Sequence, residues 1–150
     1  MAKLILKAPF YKPYSKTPSG SSRGGYANYI ATRDGVEILP RSGMAGYMGE
    51  RKGSNGLFSD EGQPIVLSKI AEEIDNHTGN VWGMIFSLKR EDAERLGYNS
   101  ASQWMNLLRS HRNDIAKEMG IEPKNLRWYA AFHNEESHPH AHMLVWSSNP

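Results

Sequence analysis

Residues 125–147 constrain the fold of this chain more than any other stretch. "NLRWYAAFH" (125–133) and "HAHMLVWS" (140–147) are apolar segments joined by the short polar link "NEESHP". Two such runs so close together predict an antiparallel β-hairpin. Strand alternation then sorts the side chains by face. Trp128, Ala130 and Phe132 join Ala141, Met143 and Val145 in one apolar layer, which needs helices to cover it. Arg127, Tyr129, Ala131 and His133 look the other way, as do His140 and His142. The last two are about 7 Å apart along their strand, at roughly 3.3 Å per residue. The hairpin brings His133 beside them. Three imidazoles converging from adjacent strands form a facial N3 set that leaves open positions on a divalent cation. His138 shares their parity but precedes Pro139 in the link, so it is assigned a supporting or substrate-facing place and not a ligand position.

The remaining elements must supply the covering layers. "KLILKAPF" (3–10) reads as a strand and the Pro-, Ser- and Gly-rich 11–25 as a loop. "YANYIATRDGVEI" (26–38) begins with helical spacing and turns at Asp34-Gly35. The glycine-rich 40–64 has no periodicity and predicts a functional loop or lid. A helix over 65–79, stopped by Gly79, is followed by a buried strand over 80–88 and a short helix at "REDAERLGY". Residues 100–120 read as one helix, opened by a Ser100/Gln103 capping box and closed by Gly120, with His111 on its apolar face. The resulting class is α+β. It has a largely antiparallel central sheet, with helices on one face and the metal site on the other. The whole of 1–150 reads as one domain. "SSNP" follows the last strand at once, so a longer natural chain with this domain at its N-terminus is expected.

Charge narrows the function. Lys3, Lys7, Lys12, Lys16, Arg23 and Arg33 precede the first acidic residue, Asp34, and a segment of that kind suits a polyanion. The chain has no cysteine, which rules out disulfides and thiolate metal sites and leaves N and O ligands. No apolar run reaches the length of a membrane span and the N-terminus lacks a secretory core, so a cytoplasmic protein is expected. A cation with open positions, a basic segment and a glycine-rich lid fit phosphoryl chemistry on a nucleic acid. There a side-chain hydroxyl attacks phosphorus. Tyrosine is the plausible nucleophile, although spacing alone does not select among the seven.

"FHNEESHPHAHMLVWS" resembles the metal-binding motif of conjugative relaxases of the HUH endonuclease superfamily. "YANYIATRDGVE" resembles the N-terminal motif of MobP-type mobilisation relaxases, in which a tyrosine precedes "IATR". "SNGLFS", "GNVWGMIFSLKREDAERLGY" and "WMNLLRSHRNDIAKEMGIEPKNLRWYAAFH" are similar to the same group, so the resemblance spans most of the chain.

The resemblance implies a site-specific nicking enzyme that acts on single-stranded DNA at an origin of transfer. A tyrosine forms a 5′-phosphotyrosyl link and frees a 3′-hydroxyl. It implies His133, His140 and His142 as ligands of Mg²⁺ or Mn²⁺, and Tyr29 as nucleophile with Tyr26 in reserve. Glu135 stands where an acid usually follows the first histidine and is expected to orient a ligand imidazole. Lys12, Lys16, Arg23 and Arg33 are expected on the phosphates, with Arg51 and Lys52 as a further basic pair. Tyr47 or Phe58, from the segment 43–62, is expected to stack on bases. Accessory mobilisation and coupling proteins are the implied partners. Two readings from other classes stand beside this one: a three-histidine zinc hydrolase for a small molecule, and a non-catalytic DNA-binding module of a mobilisation complex.

Overall fold

The computed structural model describes residues 5–7, 9–17, 20–38, 55–60, 65–135 and 138–149. Tyr47, Arg51, Lys52 and most of the expected glycine-rich lid lie outside the described residues.

The hairpin forms one end of the strand order. β4 (Leu126–His133) and β5 (His140–Ser147) are antiparallel from Leu126↔Ser147 to His133↔His140. β3 (Val81–Ser87) flanks β5 on the other side, again antiparallel, with Ile85 opposite His142 and Ser87 opposite His140. The sheet order is β1 (Ile5–Lys7), β3, β5, β4, and β2 (Phe10–Tyr11) also pairs with β3. The strand expected over 3–10 is in fact two short ones, β1 (Ile5–Lys7) and β2 (Phe10–Tyr11). Pro9 stands before β2 without an N–H to give the ladder, and its carbonyl accepts from the Gly83 N–H at 2.8 Å.

The expected α+β class and its antiparallel sheet hold, and the face assignment by alternation holds residue for residue. Trp128, Ala130, Phe132, Ala141, Met143 and Val145 pack with Ala93 of α3 (Arg90–Leu96), Trp104 and Leu108 of α4 (Ala101–Ser110) and Ala116 of α5 (Arg112–Met119). The histidine face is not bare. Tyr129, Ala131, Leu144 and Trp146 are covered by α1 (Arg23–Thr32) and α2 (Leu67–Asn76), through Tyr26, Ala27, Ile30, Ala31, Ile70 and Ile74. Helices therefore lie on both faces, and the histidines occupy the end of theirs where the β4–β5 link begins.

Three of the expected helices depart from the sequence pattern. The single helix expected over 100–120 breaks at His111 (φ −108°, ψ 12°), where the Ser110 hydroxyl donates to the Leu107 carbonyl at 2.8 Å. A hydroxyl bonding back to the preceding turn competes with the helical ladder. His111 is exposed and pairs with Asp114 at 3.0 Å, so it is not a core residue.

A second departure is at α1, which begins inside the expected loop. Ser22 caps it by accepting from the Gly25 N–H at 3.1 Å. Gly24 sits in its first turn because α2 leaves no room there: a Cβ would lie 2.2 Å from the Ala71 carbonyl oxygen.

Arg23 is not a phosphate contact. It is 2 % exposed, and its guanidinium donates to the carbonyls of Ile74 (3.0 Å), His77 (2.5 Å), Gly79 (2.7 Å) and Tyr11 (3.3 Å). Three of those carbonyls belong to the C-terminal end of α2 and the turn beyond it, where a helix leaves acceptors unpaired and favours a cation. This explains why α2 ends at Asn76, before the expected stop at Gly79. Arg23→Ala strands these acceptors in a buried place and is expected to cost about 3 kcal/mol. Urea unfolding measures it; a loss below about 0.5 kcal/mol, the ordinary range for a surface change, would show the network to be dispensable.

Candidate active site

The parity of β5 and the register of the hairpin bring His133, His140 and His142 together. Their ring centroids are 5.0 Å (133–140), 4.7 Å (133–142) and 4.9 Å (140–142) apart. One ring nitrogen from each lies within 4.8 Å of the others. The opposite nitrogen of each ring is held by the protein. His133 Nε2 donates to the Ile30 carbonyl of α1 at 2.7 Å. His140 Nδ1 donates to the His138 carbonyl at 3.1 Å. His142 Nδ1 faces the Tyr26 hydroxyl at 3.4 Å. Donation to a carbonyl fixes the tautomer of His133 and His140, leaving a lone pair on His133 Nδ1 and His140 Nε2. With Nδ1 donating to Tyr26, His142 presents Nε2 in the same way.

His133 Nδ1 and His142 Nε2 are buried and have no hydrogen-bond partner. Buried polar atoms are rarely left so. Burial holds His133 down to about 4 and His142 to about 3, the nearby imidazoles adding to the effect at His142. Both rings are thus neutral at physiological pH, the state a metal ligand requires. Two orphaned nitrogens, three converging imidazoles and a hydrogen-bond partner that orients each ring fit a divalent cation with open positions.

α1 carries both candidate nucleophiles. Tyr26 is buried, its ring edge-on to Tyr11 at 5.9 Å and to His142 at 6.2 Å. Burial pushes its hydroxyl up to about 12. One turn on, Tyr29 stacks on Tyr26 at 6.2 Å and is 43 % exposed. The Arg33 guanidinium lies 5.3 Å from the centre of the Tyr29 ring and pairs with Glu135 at 2.6 Å.

The site residues expected from sequence divide accordingly. Glu135 does not orient an imidazole: its carboxylate takes Arg33, and the outer nitrogens of the rings go elsewhere. Arg90 secures the same corner by donating to Asn134 Oδ1 (2.6 Å) and the Glu135 carbonyl (2.5 Å). Lys12 and Lys16 are exposed. Phe58 is not available to bases. It is 2 % exposed, bridged to Ala130 and packed edge-on to Trp128 on the opposite face of the sheet. His138 is exposed and contributes its carbonyl alone to the described site. The Ile30 carbonyl is the element sequence reasoning missed: a main-chain acceptor leaves no trace in residue identity. The placement of Tyr26 had a signal, since it lies three residues before Tyr29 and four before Ile30 on one helix.

A family model described as MobL relaxases matches residues 41–150. The match takes in all three histidines and Glu135, and leaves α1 outside. No curated protein and no solved structure matches the chain.

Proposed function

The chain belongs to the MobL relaxase family, and from that premise we propose that it nicks one strand of plasmid or mobile-element DNA at an origin of transfer through a covalent tyrosyl-DNA intermediate. The observation that carries the proposal is the set of three converging imidazoles beside a helix that presents an exposed tyrosine.

In this reading Tyr29 is the nucleophile. Its phenolic oxygen attacks phosphorus, the bond from phosphorus to the 3′-oxygen breaks, the phenol loses its proton and the departing oxygen gains one. The products are a 5′-phosphotyrosyl link and a 3′-hydroxyl. Tyr26 serves differently: its buried hydroxyl is held on His142 and stays protonated, so it supports the ring and leaves attack to its exposed neighbour. Arg33 borders Tyr29 and carries a charge that suits the scissile phosphate, with Glu135 fixing its direction. His133, His140 and His142 would hold the metal. Mg²⁺ or Mn²⁺, when bound, polarises a non-bridging phosphate oxygen and offsets the charge that builds there. The reaction is assigned to the cytoplasm, with accessory mobilisation and coupling proteins as partners. No helix among the described residues is long and apolar enough to cross a membrane.

The experiment is incubation of the chain with labelled single-stranded origin DNA and Mn²⁺, followed by denaturing electrophoresis. A protein-sized labelled band is expected. DNA binding with no such band would favour the non-catalytic module, and tightly held zinc with neither would favour the small-molecule hydrolase.

A further inference from the structure

One residue breaks a backbone rule that the rest of the described chain obeys. Gly20, Gly35, Gly97 and Gly120 have positive φ, and glycine is the residue that adopts it freely. Tyr14 also has it, at φ +63°, and no other non-glycine among the described residues does. The cause is the turn Lys12-Pro13-Tyr14-Ser15, closed by the Ser15 N–H on the Lys12 carbonyl at 3.1 Å and by the Ser15 hydroxyl on the same oxygen at 2.7 Å. Proline second and a left-handed residue third describe a type II turn, whose third position is a glycine site. A tyrosine there is strained, and packing does not compensate, because Tyr14 is 95 % exposed.

The surroundings say what the ring is for. Lys12 and Lys16 flank it in the same loop, and both are exposed. Neither forms an ion pair among the described residues. The ends of the loop are anchored. Tyr11 is buried against Tyr26, and Thr17 is buried and bonded to the Ser21 carbonyl through its N–H (3.0 Å) and hydroxyl (3.1 Å). The loop then enters α1, the helix of Tyr26 and Tyr29, which is about 15 Å long. An exposed aromatic ring on a short anchored loop, with a cation on each side, matches what unpaired nucleotides bind: a π-face for the base and positive charge for the phosphates on either side.

We propose that Tyr14, between Lys12 and Lys16, is a base-stacking platform for single-stranded DNA at the N-terminal end of α1, away from the reacting phosphate. This rests on the relaxase reading and adds to it a nucleotide subsite. It also supplies the stacking residue that Phe58 does not.

The test uses the full chain and a fluorescent oligothymidylate of about 20 nucleotides, long enough to cover a typical single-strand site. Tyr14→Gly removes the ring and suits the backbone. It is expected to weaken binding about 5- to 100-fold, the range for losing one stacked base. Its thermal midpoint is expected to equal or exceed that of the unchanged protein, and its salt slope to be unaltered. Tyr14→Trp retains the affinity. Lys12→Gln is expected to lower the log–log salt slope by about 0.7, as one phosphate contact fewer. Unchanged affinity in Tyr14→Gly overturns the proposal, and so does a lowered midpoint, which would make the ring a structural group. If the unchanged protein still forms an adduct with origin DNA, those results leave the relaxase reading intact. If it neither forms the adduct nor binds oligothymidylate, both fall.

Discussion

Tyr29→Phe is expected to abolish the covalent DNA adduct while leaving metal binding unchanged and DNA binding close to normal. Tyr29 stacks on Tyr26 through its ring, and phenylalanine keeps that ring. What disappears is the oxygen, and no other exposed phenol stands on α1. Removing the nucleophile from a reaction that passes through a covalent intermediate lowers the rate by about 10³-fold or more. Tyr26→Phe separates the two tyrosines. It removes the oxygen facing His142 Nδ1 at 3.4 Å. Losing such a ligand partner costs about 10- to 100-fold in metal affinity. At saturating Mn²⁺ the Tyr26→Phe protein is therefore expected to regain most of its adduct, and Tyr29→Phe to regain none. Mass mapping of the adducted peptide after digestion reads the outcome directly. A nucleotide on Tyr26 would reverse the two roles.

His142→Ala is expected to weaken Mn²⁺ binding by more than about 100-fold, beyond the cost of losing a supporting group. The ring offers one of three converging nitrogens, and its Nε2 is one of two buried side-chain atoms without a partner among the described residues. His138→Ala should change little, because that residue contributes its carbonyl to His140 and alanine has the same carbonyl. Titration calorimetry of the two variants decides. Equal losses would mean that the imidazole of His138 joins the set. Glu135→Gln belongs in the same comparison: its carboxylate holds Arg33 and no imidazole, so metal affinity should survive the change.

The hairpin could be read from residue order because alternation is a local signal. Once "HAH" begins a strand and "FH" ends the one before it, pairing of His133 with His140 follows, and the triad with it. The sorting of Trp128, Phe132, Met143 and Val145 to the opposite face rests on the same periodicity. What could not be read depends on approaches between distant segments. "SRGG" has the composition of a loop, yet Ser22 caps α1 and the next three residues are its first turn, where Gly24 lets α1 approach α2 closely. Arg23 looks like one more cation in a basic segment until α2 presents its terminal carbonyls to it, 51 to 56 residues away in sequence. Phe58 sits in a glycine-rich stretch that suggests a mobile cover, yet its backbone exchanges hydrogen bonds with Ala130 at 2.8 and 2.9 Å. Glu135 is illegible for a related reason: an acid two residues after a histidine can turn toward it or away, and Arg33 draws it away.

The bond from His133 Nε2 to the Ile30 carbonyl ties a candidate ligand ring to the helix that carries the proposed nucleophile. If α1 shifts, that ring loses the acceptor fixing its tautomer; if the ring turns toward a cation, the helix follows. Such a tie makes occupancy of the two sites a reciprocal quantity. Whatever factor a cation lends to the affinity of α1 for a nucleic-acid strand, the strand must return to the cation.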